Sequence, residues 1–192
     1  MTSIFSQLLV PIYADLHIAV TAYLLPSLLP GMLALVTFDI AYLLFFRKRQ
    51  KDYKIFLRSN QFILFIMFFY LAFIIYLTIL SRPSGSRTGV DLMPLATLSD
   101  SLSGNIYAAE NVLLFLPFGV IYCFLPIAGK RASQCRMTGF TISVSIEVVQ
   151  YITKRGFLQT DDVILNVLGC YIGYIIGRRL IKLKDSFPLP SA

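Results

Sequence analysis

Residues 62–80 form a run of 19 residues without one charged side chain. Wound as a helix at about 1.5 Å per residue, such a run covers roughly the hydrocarbon core of a bilayer. Inside a bilayer every backbone polar group needs a partner within the protein, so a lone spanning segment has to be helical. The rest of the chain agrees with this reading. It is 57% hydrophobic and only 14% charged, with a mean hydropathy of +0.73, which lies outside the range of soluble domains. The chain reads as an integral membrane protein of the all-α class, a polytopic helix bundle.

The apolar pattern predicts five spans, at 28–46, 62–80, 108–125, 137–152 and 163–177. The last two look short, which predicts snorkelling flanks or local bilayer thinning. Residues 4–25 are apolar but broken by Pro11, Asp15 and His17, so they read as an interfacial or re-entrant helix. The domain division that follows is an N-terminal segment over 1–27, a transmembrane domain over 28–181 and a tail over 182–192. No Lys or Arg precedes the first apolar stretch, so no cleavable signal peptide is expected. Residues 82–106 read as a loop whose apolar patch, 90–98, dips back towards the interface.

Basic residues set the orientation. Thirteen of the 17 Lys and Arg fall in 47–58, 130–136 and 178–184, on one side of the five spans. The other four are Arg82, Arg87, Lys154 and Arg155. The positive-inside rule places the larger group, and with it the C-terminus, in the cytoplasm. A net charge of +7 confined to helix ends is no nucleic-acid signature. Cys123, Cys135 and Cys170 have no metal-ligand spacing and read as free packing cysteines. No metal and no cofactor is expected.

Polar side chains inside such segments are costly and read first as functional. Ser143, Glu147 and Gln150 are spaced i, i+4, i+7 and share one helix face; Asp162, Asn166, Gly169, Gly173 and Gly177 form a stripe on the next helix. Arg82, Glu110, Asn111, Arg155 and Asp161 lie at the same ends of their spans, which predicts a polar site at outer-leaflet depth. Arginine forks suit phosphate or carboxylate. Glu147 and Asp162 are the candidates for general acid–base work. Against this stands helix glue: buried ion pairs and a Gly-x-x-x-Gly run also serve simple packing, and the glycine run reads that way first. Asp39, within the first span, reads as a carboxylate paired with a neighbouring helix or as a proton relay. His17 reads as an interfacial side chain.

Several blocks resemble the VanZ-like family: Asn111-Val-Leu-Leu-Phe115-Leu-Pro117-Phe-Gly119, Ser145-Ile-Glu147-Val-Val-Gln150, Arg155-Gly156, and Asp161-Asp162-Val-Ile-Leu-Asn166-Val-Leu-Gly169, with Thr78-Ile-Leu-Ser81-Arg82 before them. The resemblance covers about residues 60–180. Two positions depart from the family pattern. Gln159 stands where many members carry an acid, and Asp91 stands where Asn is usual before Leu92-Met93-Pro94. The first departure weakens a metal reading.

The resemblance implies a multi-pass protein of the bacterial plasma membrane that lowers susceptibility to teicoplanin-type glycopeptides. The expected partner is the antibiotic or a lipid-linked cell-wall precursor, met at the outer leaflet. The expected ligand-binding residues are Arg82, Asn111, Glu147, Gln150, Arg155, Asp161, Asp162 and Asn166. The alternatives are a membrane hydrolase or transferase acting on a phospholipid or polyprenyl-phosphate headgroup, with Glu147 or Asp162 as general base, and a structural membrane partner with no ligand.

Overall fold

The computed structural model describes residues 4–46, 53–85, 89–94, 102–125 and 131–186. Among these, six α-helices follow one another: α1 (Ile4–Tyr23), α2 (Leu28–Phe46), α3 (Tyr53–Ile75), α4 (Leu102–Tyr122), α5 (Ala132–Ile152) and α6 (Thr160–Ser186). A π-helical turn, Tyr76–Leu80, closes α3. Two short strands, β1 (Val90–Asp91) and β2 (Leu158–Gln159), pair in parallel, with Val90 opposite Leu158 and Asp91 opposite Gln159. The class is all-α, as the sequence implies, with this short ladder added.

Among the described residues four helices are long and apolar enough to cross a membrane: Leu28–Phe45, Asn60–Leu80, Leu102–Tyr122 and Thr160–Leu183. The protein is a membrane protein with several such helices. The remaining expected span, at 137–152, lies in α5, which has 21 residues and sufficient length. Its polar positions, among them Gln134, Arg136, Thr141, Ser143, Glu147 and Gln150, leave it outside the apolar four. The expectation that the last two spans are short is corrected. Helix α5 has 21 residues and α6 has 27, and at about 1.5 Å per residue neither calls for a thinned bilayer. Helix α1 is a 20-residue helix that contains Pro11 and is not one of the four. Of the patch at 90–98, residues 95–98 lie outside the described residues, and Val90–Asp91 is a strand.

Hydroxyl side chains sit within these helices because each returns its proton to the preceding turn. Thr37 Oγ1 donates to the Leu33 carbonyl (2.8 Å), Thr78 Oγ1 to Ile74 (2.8 Å), Thr141 Oγ1 to Met137 (2.9 Å) and Ser145 Oγ to Thr141 (2.7 Å). This i to i−4 bond satisfies a polar group without water.

The chain packs as two compact units. The first comprises Met1–Gly89 and Val149–Phe157; the second comprises Val90–Val148 and Leu158–Ala192. In the first, α2 lies on α3. Gly31 permits the approach, since a Cβ there would lie 2.7 Å from Phe69 Cα. Phe38 meets Phe68 with ring centroids 5.5 Å apart. Asp39, the carboxylate within α2, accepts a hydrogen bond from Gln61 Nε2 of α3 at 3.1 Å, which is the helix-pairing role. His17 is exposed, with Tyr13 beside it.

In the second unit α4 lies on α6 at backbone distance. A Cβ on Gly169 would collide with the Val112 carbonyl, one on Gly173 with the Leu116 carbonyl, and one on Gly119 with the Cys170 carbonyl. The run at 169, 173 and 177 is therefore a packing face, as small residues in membrane helices commonly are. Phe115 and Phe118 are fully buried on α4. Gly173→Ala should destabilise the protein by about 1–3 kcal/mol through overpacking, whereas Leu168→Ala on an exposed part of α6 should stay within about 0.5 kcal/mol. Thermal denaturation in detergent, read by the loss of the monodisperse peak, checks the pair.

Candidate functional site

The structure sorts the eight expected residues into two groups, one per unit. Arg82, Gln150 and Arg155 belong to the first; Asn111, Glu147, Asp161, Asp162 and Asn166 belong to the second.

The first group is built on the way α5 ends. The N–H of Arg155 bonds the Gln150 carbonyl (2.8 Å) and that of Lys154 bonds the Tyr151 carbonyl (3.1 Å). Lys154 has a φ of 56°. These two bonds about a left-handed residue make a Schellman cap, with Lys154 where glycine is usual. The turn is tied to residues 84–85: Gly85 N–H donates to the Lys154 carbonyl (2.9 Å) and Ser84 Oγ to the Thr153 carbonyl (3.0 Å).

From this cap two side chains reach the π-turn. The last carbonyls of a helix have no partner within it. Gln150 Nε2 donates to the Thr78 carbonyl at 2.8 Å, and Arg155 Nη1 donates to the Ile79 carbonyl at 2.9 Å. Gly156 leaves room for this, since a Cβ there would lie 3.1 Å from the Gln150 side chain. Gln150 is buried and Arg155 half-buried. The other N–H groups of the Arg155 guanidinium meet no acceptor among the described residues. With Nη1 engaged, the Nε–Nη2 edge remains, and that edge presents two parallel donors to an oxyanion. Arg82 is half-buried in the turn that follows Leu80.

The second group lies along α4, α5 and α6. Asn111 Nδ2 donates to Asp162 Oδ1 at 2.7 Å. Asn166 Nδ2 donates to Ser143 Oγ at 2.9 Å. Glu147 Oε2 accepts the backbone N–H of Gln159 at 2.9 Å, so its carboxylate anchors the residue that precedes α6. Asp161 and Asp162 stand in the first turn of α6, where the helix dipole favours negative charge. Glu147, Asp161 and Asn166 are each at most 4% exposed. The Oδ1 atom of Asn166 is buried with no partner among the described residues.

The paired strands join this group. Asp91 Oδ1 accepts the N–H of Met93 at 3.1 Å, a local Asx turn that Asp makes as well as Asn does. Asp91 and Gln159, the two positions at which the sequence departs from the resemblance, are register partners.

Sequence reasoning found the buried face of α5, since Ser143, Glu147 and Gln150 are all at most 3% exposed. It missed the acceptors. The carbonyls of Thr78 and Ile79 and the N–H of Gln159 leave no mark in the side-chain pattern. Lys154 had a faint signal: a basic turn ending in Gly156 suggests a cap, but places glycine two residues late.

An all-α, multi-pass membrane protein with polar groups gathered at helix ends is the class this geometry defines. The VanZ/LLP1 family model matches residues 62–182, and the chain belongs to that family, which is associated with teicoplanin resistance. No curated protein and no solved structure matches the chain.

Two outcomes follow from the geometry. Lys154→Gly should raise stability by about 1 kcal/mol, because glycine carries no Cβ penalty at positive φ; the melting temperature in detergent reports it. Asn111→Ala and Asp162→Ala should be non-additive, with a coupling of about 0.5–3 kcal/mol in a double-mutant cycle of the same measurement.

Proposed function

We propose that the protein lowers susceptibility to teicoplanin-type glycopeptides by binding an anionic group at the outer leaflet, on the antibiotic or on a lipid-linked cell-wall precursor. Arg155 is the main contact. The observation that carries the reading is its guanidinium: one N–H is fixed on the Ile79 carbonyl and the Nε–Nη2 edge is left for an oxyanion. The charge distribution supports the placement, since thirteen basic residues on the opposite side favour, by the positive-inside rule, a cytoplasmic C-terminus and an outer turn at 153–156. Arg82 adds positive charge in the same unit, and Gln150 holds the π-turn carbonyl beside it.

In the second unit Asn111, Glu147, Asp162 and Asn166 keep α6 and its entry in place, with Asp161 in the first turn of that helix. The enzyme reading, with Glu147 or Asp162 as general base on a phosphorylated headgroup, draws support from the burial of Glu147. It is opposed by the N–H of Gln159 on that carboxylate, which occupies an oxygen that a general base would need for its substrate.

Native mass spectrometry of the detergent-extracted protein tests the binding reading, with phosphatidylglycerol or teicoplanin added. Arg155→Lys keeps the charge and a donor for Ile79 but loses the fork, and should weaken retention about 10-fold, the worth of one charge-assisted hydrogen bond. Arg155→Ala should abolish it. Equal retention by wild type and both variants would remove Arg155 from the site. Glu147→Gln separates the enzyme reading: it should leave bound ligand in place, and loss of a turnover product in that variant alone would favour catalysis.

A further inference from the structure

Helices α5 and α6 are joined along one antiparallel seam within the second unit. At one end Glu147 holds the N–H of Gln159, in the middle Ser143 meets Asn166, and at the other end Cys135 meets Cys170. The two thiols are 3.2 Å apart, Sγ to Sγ, and neither residue is exposed. Cys170 Sγ also donates to the Cys135 carbonyl at 3.4 Å. Gly139 frames the pair from one turn along α5, where a Cβ would lie 2.9 Å from Cys170 Sγ. The third cysteine, Cys123, is on neither helix; its Sγ donates to the Gly119 and Tyr174 carbonyls at 3.5 and 3.4 Å.

We propose that Cys135 and Cys170 are a redox-active dithiol, which a membrane quinone oxidises to a disulfide that locks α5 to α6. A disulfide bond is about 2.05 Å long, so closure asks for a side-chain shift of about 1 Å and no change of helix register. The oxidant has to be lipid-soluble, because both thiols are shut away from water and Cys170 lies within a membrane-crossing helix. The step balances: both S–H bonds break, one S–S bond forms, and the two electrons and two protons pass to the quinone, which leaves as hydroquinone. Once the chain is denatured, a thiol reductant reverses it by exchange. The bond would fix the register on which the Ser143–Asn166 and Glu147–Gln159 contacts depend, so this pair is more than a filler of space.

The test uses the full chain in lipid nanodiscs, treated with a short-chain ubiquinone, quenched in acid, denatured and alkylated with N-ethylmaleimide for intact-mass measurement. Untreated protein should take three adducts. Quinone-treated protein should weigh 2 Da less before alkylation and take one adduct, mapped to Cys123, with all three regained after dithiothreitol. Cys123→Ser should fall from two adducts to none, and Cys135→Ser should keep both of its adducts after quinone. Three adducts after quinone, a quinone-sized mass gain, or a covalent dimer in place of the 2 Da loss would overturn the proposal. So would a loss of adducts that persists in Cys135→Ser.

Discussion

A membrane helix that ends inside the protein exposes carbonyls to a medium with no water to receive them. The end of α3 meets that constraint at the π-turn. Widening the last turn lets Ser81 N–H reach the Tyr76 carbonyl at 2.8 Å, and Arg82 N–H makes a long bond to the Ile79 carbonyl at 3.4 Å, but the Thr78 carbonyl still needs a donor and that of Ile79 has room for a shorter one. These come from Gln150 and Arg155, about 70 residues later in the chain, through two charged or amide side chains delivered by one helix cap. The local geometry of residues 149–157 follows from this. The Schellman bonds fix the backbone, the strained Lys154 turns it, and the ties from Ser84 and Gly85 hold it.

The second unit meets the same constraint by another route. Its glycines remove side chains where α4 and α6 cross, so the helices approach to backbone contact and gain dispersion in place of the hydrophobic drive that lipid cannot supply. Close approach is also what lets short polar side chains meet. Asn111 reaches Asp162 at 2.7 Å beside the close approach of Val112, the next residue on α4, to Gly169, about two turns further along α6. The polar stripe and the glycine stripe on α6 are therefore two parts of one interface.

The helical class, the places of α2 to α6 and the buried face of α5 were legible in the sequence because each rests on apolar run length or on 3.6-residue spacing. Ser143, Glu147 and Gln150 show this well: their spacing alone assigned one face, and that face is buried. What could not be read was the partner of each. A reader of side chains looks for an arginine's acid, yet Arg155 spends a donor on a carbonyl and Glu147 spends an oxygen on a backbone N–H. The length of α6 was underread because its final turns carry Arg178, Arg179 and Lys182, which are tolerated where a helix leaves the apolar layer. The β1–β2 ladder was unreadable for the simplest reason: two residues give no period.

In the proposed reading Arg155 has a structural and a binding role, and the first assists the second. A long side chain loses rotamer freedom when it grips a ligand, a cost of about 0.5–1.5 kcal/mol for each ordered chain. Here the bond to Ile79 has already ordered it, so an arriving oxyanion meets a fork already in place. The carboxylates differ in this respect. The Glu147 carboxylate is engaged by the segment that starts α6, and Asp162 by Asn111. Drawing either towards a ligand would take the acceptor from a half-buried donor, a cost below the about 1–3 kcal/mol of a fully buried group. This energetic asymmetry is why the proposal rests recognition of negative charge on the arginine and leaves the acids to holding the helices of the second unit.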